Sequence, residues 1–181
     1  MISKKREFKV ATISKGLGLN NLYIIVLKEK GGRQLFPLLI NAEQKITFFA
    51  LINNTSFSSL SLLKTIQNIF FDSGLILEEC TLCELVSEGY NARLLLNRDG
   101  VMIETKTDAV TGMLFALYFR SPIYIEDQLL EGLTDEGNGE LFSIPIKTLS
   151  NELLKEALDD AVQNEQYDIA SILRDEINRR K

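Results

Sequence analysis

The feature that most constrains the fold is a change of hydrophobic period, which the sequence makes twice. Each time, two strand-like segments joined by a Gly-bearing turn lead directly into a segment with helical spacing. The strands of the first hairpin are LYIIVLKE (Leu22 to Glu29) and RQLFPLLI, and those of the second are YNARLLLN and VMIETK. The first helix is predicted over Ala42 to Asn53 and the second over Thr107 to Phe119. Aligning AEQKITFFAL with DAVTGMLFAL brings the two FAL triplets into register. The pattern predicts an α+β domain built from a β-hairpin–helix unit used twice, with a chance match of apolar tripeptides as the alternative.

Further elements complete this first region, which we expect to cover residues 1–130. EFKVATISK precedes the first hairpin as a strand, and LILEECTLCELV is a strand between the two units. SLSLLKTIQNIFFDSG is a second central helix, for which Gly74 is the expected C-terminal cap. SPIYIED is a short closing strand.

The composition changes after Gly132, where an acidic, Gly-containing segment predicts a linker over residues 131–148. Residues 149–181 then read as a two-helix hairpin with apolar stripes at helical spacing. A hairpin of roughly 30 residues buries too little surface to be stable alone. We therefore expect another surface to complete it: a second copy of the chain, a different protein, or the hairpin's own domain.

The absence of histidine is the strongest restriction on chemistry. It excludes His-based general acid–base catalysis, Ser-His and Cys-His nucleophile pairs, and His-ligated zinc. The net charge of −5 argues against binding to nucleic acid by bulk electrostatics. No signal peptide is visible, and no apolar run reaches the roughly 20 residues that span a bilayer. These features predict a cytoplasmic protein without membrane contact, and nothing in the sequence indicates an organic cofactor.

The only two cysteines, Cys80 and Cys83, lie in CTLC. A CxxC pair can be a redox motif or half of a zinc site, but that zinc site needs two further ligands. Here the pair lies in a predicted strand, where a spacing of three points side chains to opposite faces. We expect two structural thiols.

The C-terminal segment LDDAVQNEQYDIASILRDEI resembles the UVR motif, the helical hairpin found in the B and C subunits of the bacterial excision-repair nuclease. The match rests on the small, aromatic and Leu-Arg-Asp positions at the right spacing. In the families that carry this motif, it looks like a protein-docking element. The resemblance therefore implies that the partner is a second copy of the chain, giving a homo-oligomer, or another UVR-containing protein. The resemblance implies that these residues contact the partner: Leu158, Ala161, Tyr167, Ala170, Leu173, Arg174 and Ile177.

The first 130 residues resemble the bifunctional nuclease domain family of small bacterial α+β proteins. The resemblance is carried by LFPLLINAEQKITFFAL and IETKTDAVTGMLFALYFRSPIYI, and a UVR tail behind such a domain is a known family arrangement. Two departures stand out. Where the family has Thr-His-Asp, this chain has Leu60 or a neighbour in place of His and Ser61 in place of Asp, and its Asp-x-Arg-Pro-Ser pattern is reduced to ETKT.

Phosphodiester hydrolysis without histidine usually relies on Mg²⁺ or Mn²⁺ held by carboxylates, with a nearby cation. Glu43 and Asp108 are the candidate metal ligands, Glu104 would support them, and Lys106 would stabilise charge. Those four residues form the predicted catalytic set. The alternative for Asp108 and Glu43 is purely structural, because carboxylates are favourable at helix N-termini.

Two functions therefore stand side by side. In the first, the chain is a metal-assisted nuclease of the bifunctional nuclease type that cleaves DNA or RNA and carries a UVR-like interaction hairpin. In the second, the same domain is catalytically degenerate and acts as an adaptor through that hairpin. Whether the chain is an enzyme is left open by the sequence.

Overall fold

The computed structural model describes residues 4–15, 22–55, 60–86, 89–131 and 151–180. Within these ranges it is an α+β structure with one seven-stranded mixed sheet and five α-helices, the last two of which form a C-terminal pair. The strands are β1 (Lys5–Lys15), β2 (Leu22–Glu29), β3 (Leu35–Asn41), β4 (Leu75–Val86), β5 (Gly89–Arg98), β6 (Val101–Asp108) and β7 (Ile123–Glu126). The helices are α1 (Ala42–Ile52), α2 (Leu60–Asp72), α3 (Ala109–Phe119), α4 (Asn151–Gln163) and α5 (Tyr167–Arg179).

The strand order is β3-β2-β1-β7-β4-β5-β6, so β3 and β6 form the two edges. Neighbouring strands are antiparallel except β4 and β7, which pair in parallel. The short β7 lies between β1 and β4 and thereby joins the two antiparallel groups into one sheet. This insertion follows from the position of α3, which carries the chain across the sheet from β6 back to its centre.

β2 shows how the sheet is covered on both faces. Ile25 and Leu27 belong to one buried cluster, whereas Ile24 and Val26 belong to another. Because successive side chains of a strand point to opposite faces, the two clusters lie on the two sides of the sheet. We call the face with Ile25 the inner face and the face with Ile24 the outer face.

The inner face is covered by α1, α2 and α3. Met113 and Ala116 of α3 are fully buried there together with Phe48 of α1. Gly112 lets α3 approach the sheet closely, since an added Cβ would lie 2.9 Å from the Cβ of Ala92 and 3.0 Å from the Sγ of Cys80. A larger residue there would push the helix off the sheet.

The outer face of β2 and β3 is covered by the C-terminal pair. Leu154 and Ala161 of α4 and Leu173 of α5 are fully buried in one cluster with Ile24 and Leu39 of the sheet. Of the three surfaces considered for the hairpin, its own sheet is the one against which these residues pack. The two helices are antiparallel amphipathic elements that meet over this patch, which supplies the apolar area that the hairpin lacks alone.

The sequence-based element boundaries hold in most places. β2 has the predicted limits, β1 begins two residues earlier than expected, and Gly74 adopts the positive φ of a helix C-terminal cap. One expectation is wrong: α3 does not begin at Thr107, because Asp108 is the N-cap residue and the helix begins at Ala109. The predicted linker lies almost entirely outside the described residues.

Candidate functional site

Three of the four predicted catalytic residues lie on one face of β6. Glu104, Lys106 and Asp108 are two residues apart along the strand and pair in register with Leu95, Arg93 and Asn91 of β5, respectively. Alternation along a strand therefore directs Glu104, Lys106 and Asp108 to the same side, which is the outer face. All three are exposed.

Lys106 and Glu104 each have an oppositely charged neighbour on this face. Lys106 Nζ lies 3.5 Å from Glu84 Oε1, and Arg93 Nη1 lies 3.7 Å from Glu104 Oε2. The pKa of Glu84 is lowered, chiefly by the hydrogen bond that Asn91 donates and next by the charge of Lys106. Lys106 is therefore already paired with a carboxylate and is not an unpaired cation available to a phosphate group.

Asp108 has a structural role as the N-cap residue of α3. Its Oδ1 accepts a hydrogen bond from the backbone N–H of Thr111 at 2.9 Å, which satisfies one of the unpaired donors of the first turn of α3. The carboxylate also interacts favourably with the positive end of the helix dipole. The structural alternative considered for Asp108 is thus present in the structure.

Glu43 lies in the first turn of α1, away from β6 in the topology. α1 follows β3 and α3 follows β6, so Glu43 and Asp108 are attached to opposite edges of the sheet. The N-cap of α1 is Asn41, which forms a reciprocal capping box with Gln44. Glu43 is exposed and adds a favourable negative charge to this helix start.

The described residues do not assemble a metal site of the predicted kind. Within those ranges, no three side chains among Cys, Asp and Glu lie close enough together to hold a metal ion. The outer face around β6 carries four carboxylates, Glu84, Glu104, Asp108 and Glu126, against the cations Arg93 and Lys106. That local excess of negative charge repels a phosphate group.

The most buried charge on this face was missed by sequence reasoning. Glu126 is only 5% exposed and is paired with Arg93, which in turn reaches Glu104. Gln128 donates to Glu126 at 2.8 Å and to the backbone oxygen of Cys83. The pair joins β5 to the end of β7, 33 residues apart in sequence. No local pattern signals such a contact, because it depends on where β7 enters the sheet.

Both cysteines are free and buried. Burial raises the pKa of Cys80 to about 12 and is the main cause of a raised pKa at Cys83. Cys80 lies in the inner core, whereas Cys83 is near Arg93 and Glu126 of the outer face. Thiols with raised pKa values are poor nucleophiles and poor metal ligands at neutral pH, which fits two structural residues.

A cavity of about 730 Å³ lies on the helical side, between the C-terminal ends of α1 and α3 and the start of α2. Its lining residues include Leu60 and Ser61, which belong to the segment where the sequence resemblance predicted the loss of a His and an Asp. Lys64 and Arg120 contribute two exposed cations for which no ion pair is found among the described residues. The described lining contains no carboxylate, so this cavity can attract an anionic group but has no acid or base of the usual kind to hydrolyse it.

A second groove, of about 660 Å³, lies on the C-terminal helix pair. Four of the seven predicted partner-contacting residues line it: Leu158, Tyr167, Ala170 and Arg174. Tyr167 is 67% exposed, and the neighbouring Val162 is 50% exposed. The other predicted contacts differ: Ala161 and Leu173 are fully buried against the sheet and Ile177 packs at the same cluster, so these three hold the hairpin in place.

No family model matches the sequence, and no curated protein is significantly similar to it. Among the described residues, no helix has the length and apolar character needed to cross a membrane.

Proposed function

We propose that this chain is a domain of the bifunctional nuclease type that works as a non-hydrolytic adaptor. Its UVR-like hairpin docks the protein onto an amphipathic helix of a UVR-containing partner. In this proposal the two β-hairpin–helix segments, β2-β3-α1 and β5-β6-α3, descend from one duplicated unit. The chain acts in the cytoplasm, which fits its two reduced thiols.

The groove on α4 and α5 is the observation that carries the proposal. One side of the hairpin is anchored on β2 and β3, while the groove presents Val162 and Tyr167 to solvent. A groove with an apolar floor and an aromatic wall is the common receptor for the apolar face of a helix. Arg174 makes no ion pair with any described residue, so a carboxylate on the partner helix would complete it.

The state of the predicted catalytic residues supports the non-hydrolytic part. Asp108 caps a helix, while Lys106 and Glu104 are each held in an ion pair. By the resemblance, Leu60 or a neighbour replaces the family's His and Ser61 replaces its Asp, and the described residues that line the cavity include no carboxylate. These features favour binding over bond cleavage.

Fluorescence polarisation tests the adaptor function directly. The probe is a labelled peptide that spans α5 (Tyr167–Arg179), used as a representative amphipathic helix of a UVR-like partner, and it is titrated with the full chain. We expect saturable binding that Tyr167→Asp and Arg174→Glu abolish. Lys155→Glu is the matched control, because Lys155 is exposed on α4 outside the groove. Binding that survives both groove variants would contradict the proposal.

A metal-assisted nuclease is the second candidate, and one observation favours it. Glu104, Lys106 and Asp108 share one exposed face of β6, so a substrate phosphate would meet all three on the same strand. The requirement for Mg²⁺ or Mn²⁺ stays a prediction of this candidate. The described residues do not form a three-ligand site, and we assign no catalytic step to an ion.

Nuclease assays separate the two candidates. Purified protein is incubated with single- and double-stranded DNA and RNA in Mg²⁺, Mn²⁺ or EDTA, and the adaptor proposal predicts no cleavage. The decisive variant is Asp108→Asn, since Asn caps a helix as well as Asp but lacks the carboxylate. Metal-dependent cleavage that disappears in this folded variant would establish the nuclease and refute the non-hydrolytic proposal.

A further inference from the structure

The two edges of the sheet differ in their capacity to pair with another strand. β3 contains Pro37, which lacks a backbone N–H, and Phe36 to Ile40 are buried. In β6 every residue from Val101 to Lys106 is exposed, and no described segment pairs with its free edge. A long exposed edge strand with apolar residues is a template for another strand.

The register of the β5–β6 hairpin determines which backbone groups point outward. Asp99 and Gly100 form the turn with φ values of 51° and 84°, and Arg98 pairs with Val101 beside it. In a two-residue hairpin this flanking pair exchanges both hydrogen bonds, and the alternation continues along the strand. The N–H and C=O groups of Met102, Glu104 and Lys106 therefore point away from β5.

We propose that β6 pairs antiparallel with β6 of a second copy of the chain, around a two-fold axis at Thr105. In this register Glu104 lies opposite Lys106 of the second copy, and Lys106 lies opposite its Glu104. These are also the residues whose backbone groups point outward, so hydrogen bonding permits this register and charge favours it over its neighbours. A shift of two residues in either direction places Glu104 against Glu104 or Lys106 against Lys106, which is unfavourable.

Neighbouring residues are consistent with this pairing. Glu84 lies beside Lys106, and Arg93 lies beside Glu104, so the interface creates a row of alternating charges across the two copies. On the other face of β6, Ile103 comes opposite Thr107, and Val101 comes beside the first turn of α3. These two apolar residues are 41% and 63% exposed in the single chain, and their burial adds to the interface.

The inference goes beyond the adaptor function, since it concerns the opposite edge of the sheet from the hairpin. Sedimentation equilibrium on the full chain tests it. We expect a dimer for the wild type and monomers for Glu104→Lys and for Lys106→Glu, each of which places like charges in both pairs. An equimolar mixture of these two variants restores opposite charges, and we expect it to form dimers. An effect within one chain cannot produce such a rescue.

Several outcomes would overturn the proposal: a monomeric wild type, either variant dimerising alone, or a mixture that stays monomeric although circular dichroism shows both variants folded. If Glu104→Lys unfolds because of nearby Arg93, the Lys106→Gln variant decides. It removes one charge from each pair and should weaken dimerisation by roughly tenfold. Unchanged dimerisation of Lys106→Gln would mean that the two copies associate through a surface other than β6, and the proposal would be wrong.

Discussion

The two β-hairpins that lead into helices, β2–β3 and β5–β6, have the same local layout but different surroundings. β2 and β3 are followed by α1 and are buried on both faces, by α1 on the inner side and by α4 and α5 on the outer side. β5 and β6 are followed by α3, but among the described residues no helix covers their outer face. That face carries ion pairs where β2 and β3 carry aliphatic side chains.

This difference shows that the presence or absence of helices on the outer face, and not the hairpin itself, decides how each hairpin is stabilised. The covered hairpin depends on apolar area removed from water. The uncovered one depends on Arg93 and its carboxylates, and its edge strand stays open to partners. Four predictions test the contrast.

The largest effect is expected where the hairpin meets β2. Leu154 is fully buried in the cluster with Ile24, so Leu154→Asp creates a cavity and buries a charge. We expect a loss of at least about 4 kcal/mol in the free energy of unfolding. Urea denaturation measures it, and limited proteolysis shows whether α4 leaves the sheet. Lys155→Asp, on the exposed side of α4, is the control, and an equal loss there would refute the interpretation.

Matched truncations on the two edge strands compare the outer faces directly. Leu39 of β3 is 5% exposed, whereas Met102 of β6 is 51% exposed. Leu39→Ala should cost about 3 kcal/mol of unfolding free energy, and Met102→Ala less than about 0.5 kcal/mol. The measurement is urea denaturation of both variants at low protein concentration. Similar costs would mean that the β6 face is covered after all.

Breaking the polar network should reveal the stabilisation of the second half. In Arg93→Leu, Glu126 remains buried and loses its cationic partner. We expect a loss of about 2–3 kcal/mol in unfolding free energy, toward the lower end for a buried pair because Arg93 is partly exposed. Arg98→Leu on the same strand is the control, with a change below about 0.5 kcal/mol. Thermal unfolding of both variants measures these changes. If Arg93→Leu were no less stable than Arg98→Leu, the polar network would not stabilise the protein.

The smallest effect concerns acid stability of the C-terminal pair. The hydrogen bond from Arg179, joined by one from Arg180, lowers the pKa of Glu176 to about 2. Its unfolded value is about 4.3, so the stabilisation is present above that pH and disappears as the pH falls towards 2. Unfolding curves of wild type and Glu176→Gln should therefore differ near neutrality and converge in acid. A difference that is constant with pH would contradict this assignment.

The sequence allowed much of the local structure to be predicted. The hydrophobic period located β2 at its observed limits and the helices after the two hairpins, α1 and α3, within two residues. The candidate site was predicted less well: three residues share a face of β6, but Glu43 lies in α1, which follows the opposite edge strand.

By itself, the sequence determined the α+β class, the two hairpins that lead into helices, the amphipathic C-terminal pair and the exclusion of histidine chemistry. Periodicity and composition act over a few residues, so these properties are readable locally. Only the tertiary structure decided that β7 pairs between β1 and β4, that Arg93 meets Glu126, and that α4 covers β2. Each of these depends on segments far apart in the chain, whose meeting is decided by the burial of the whole molecule.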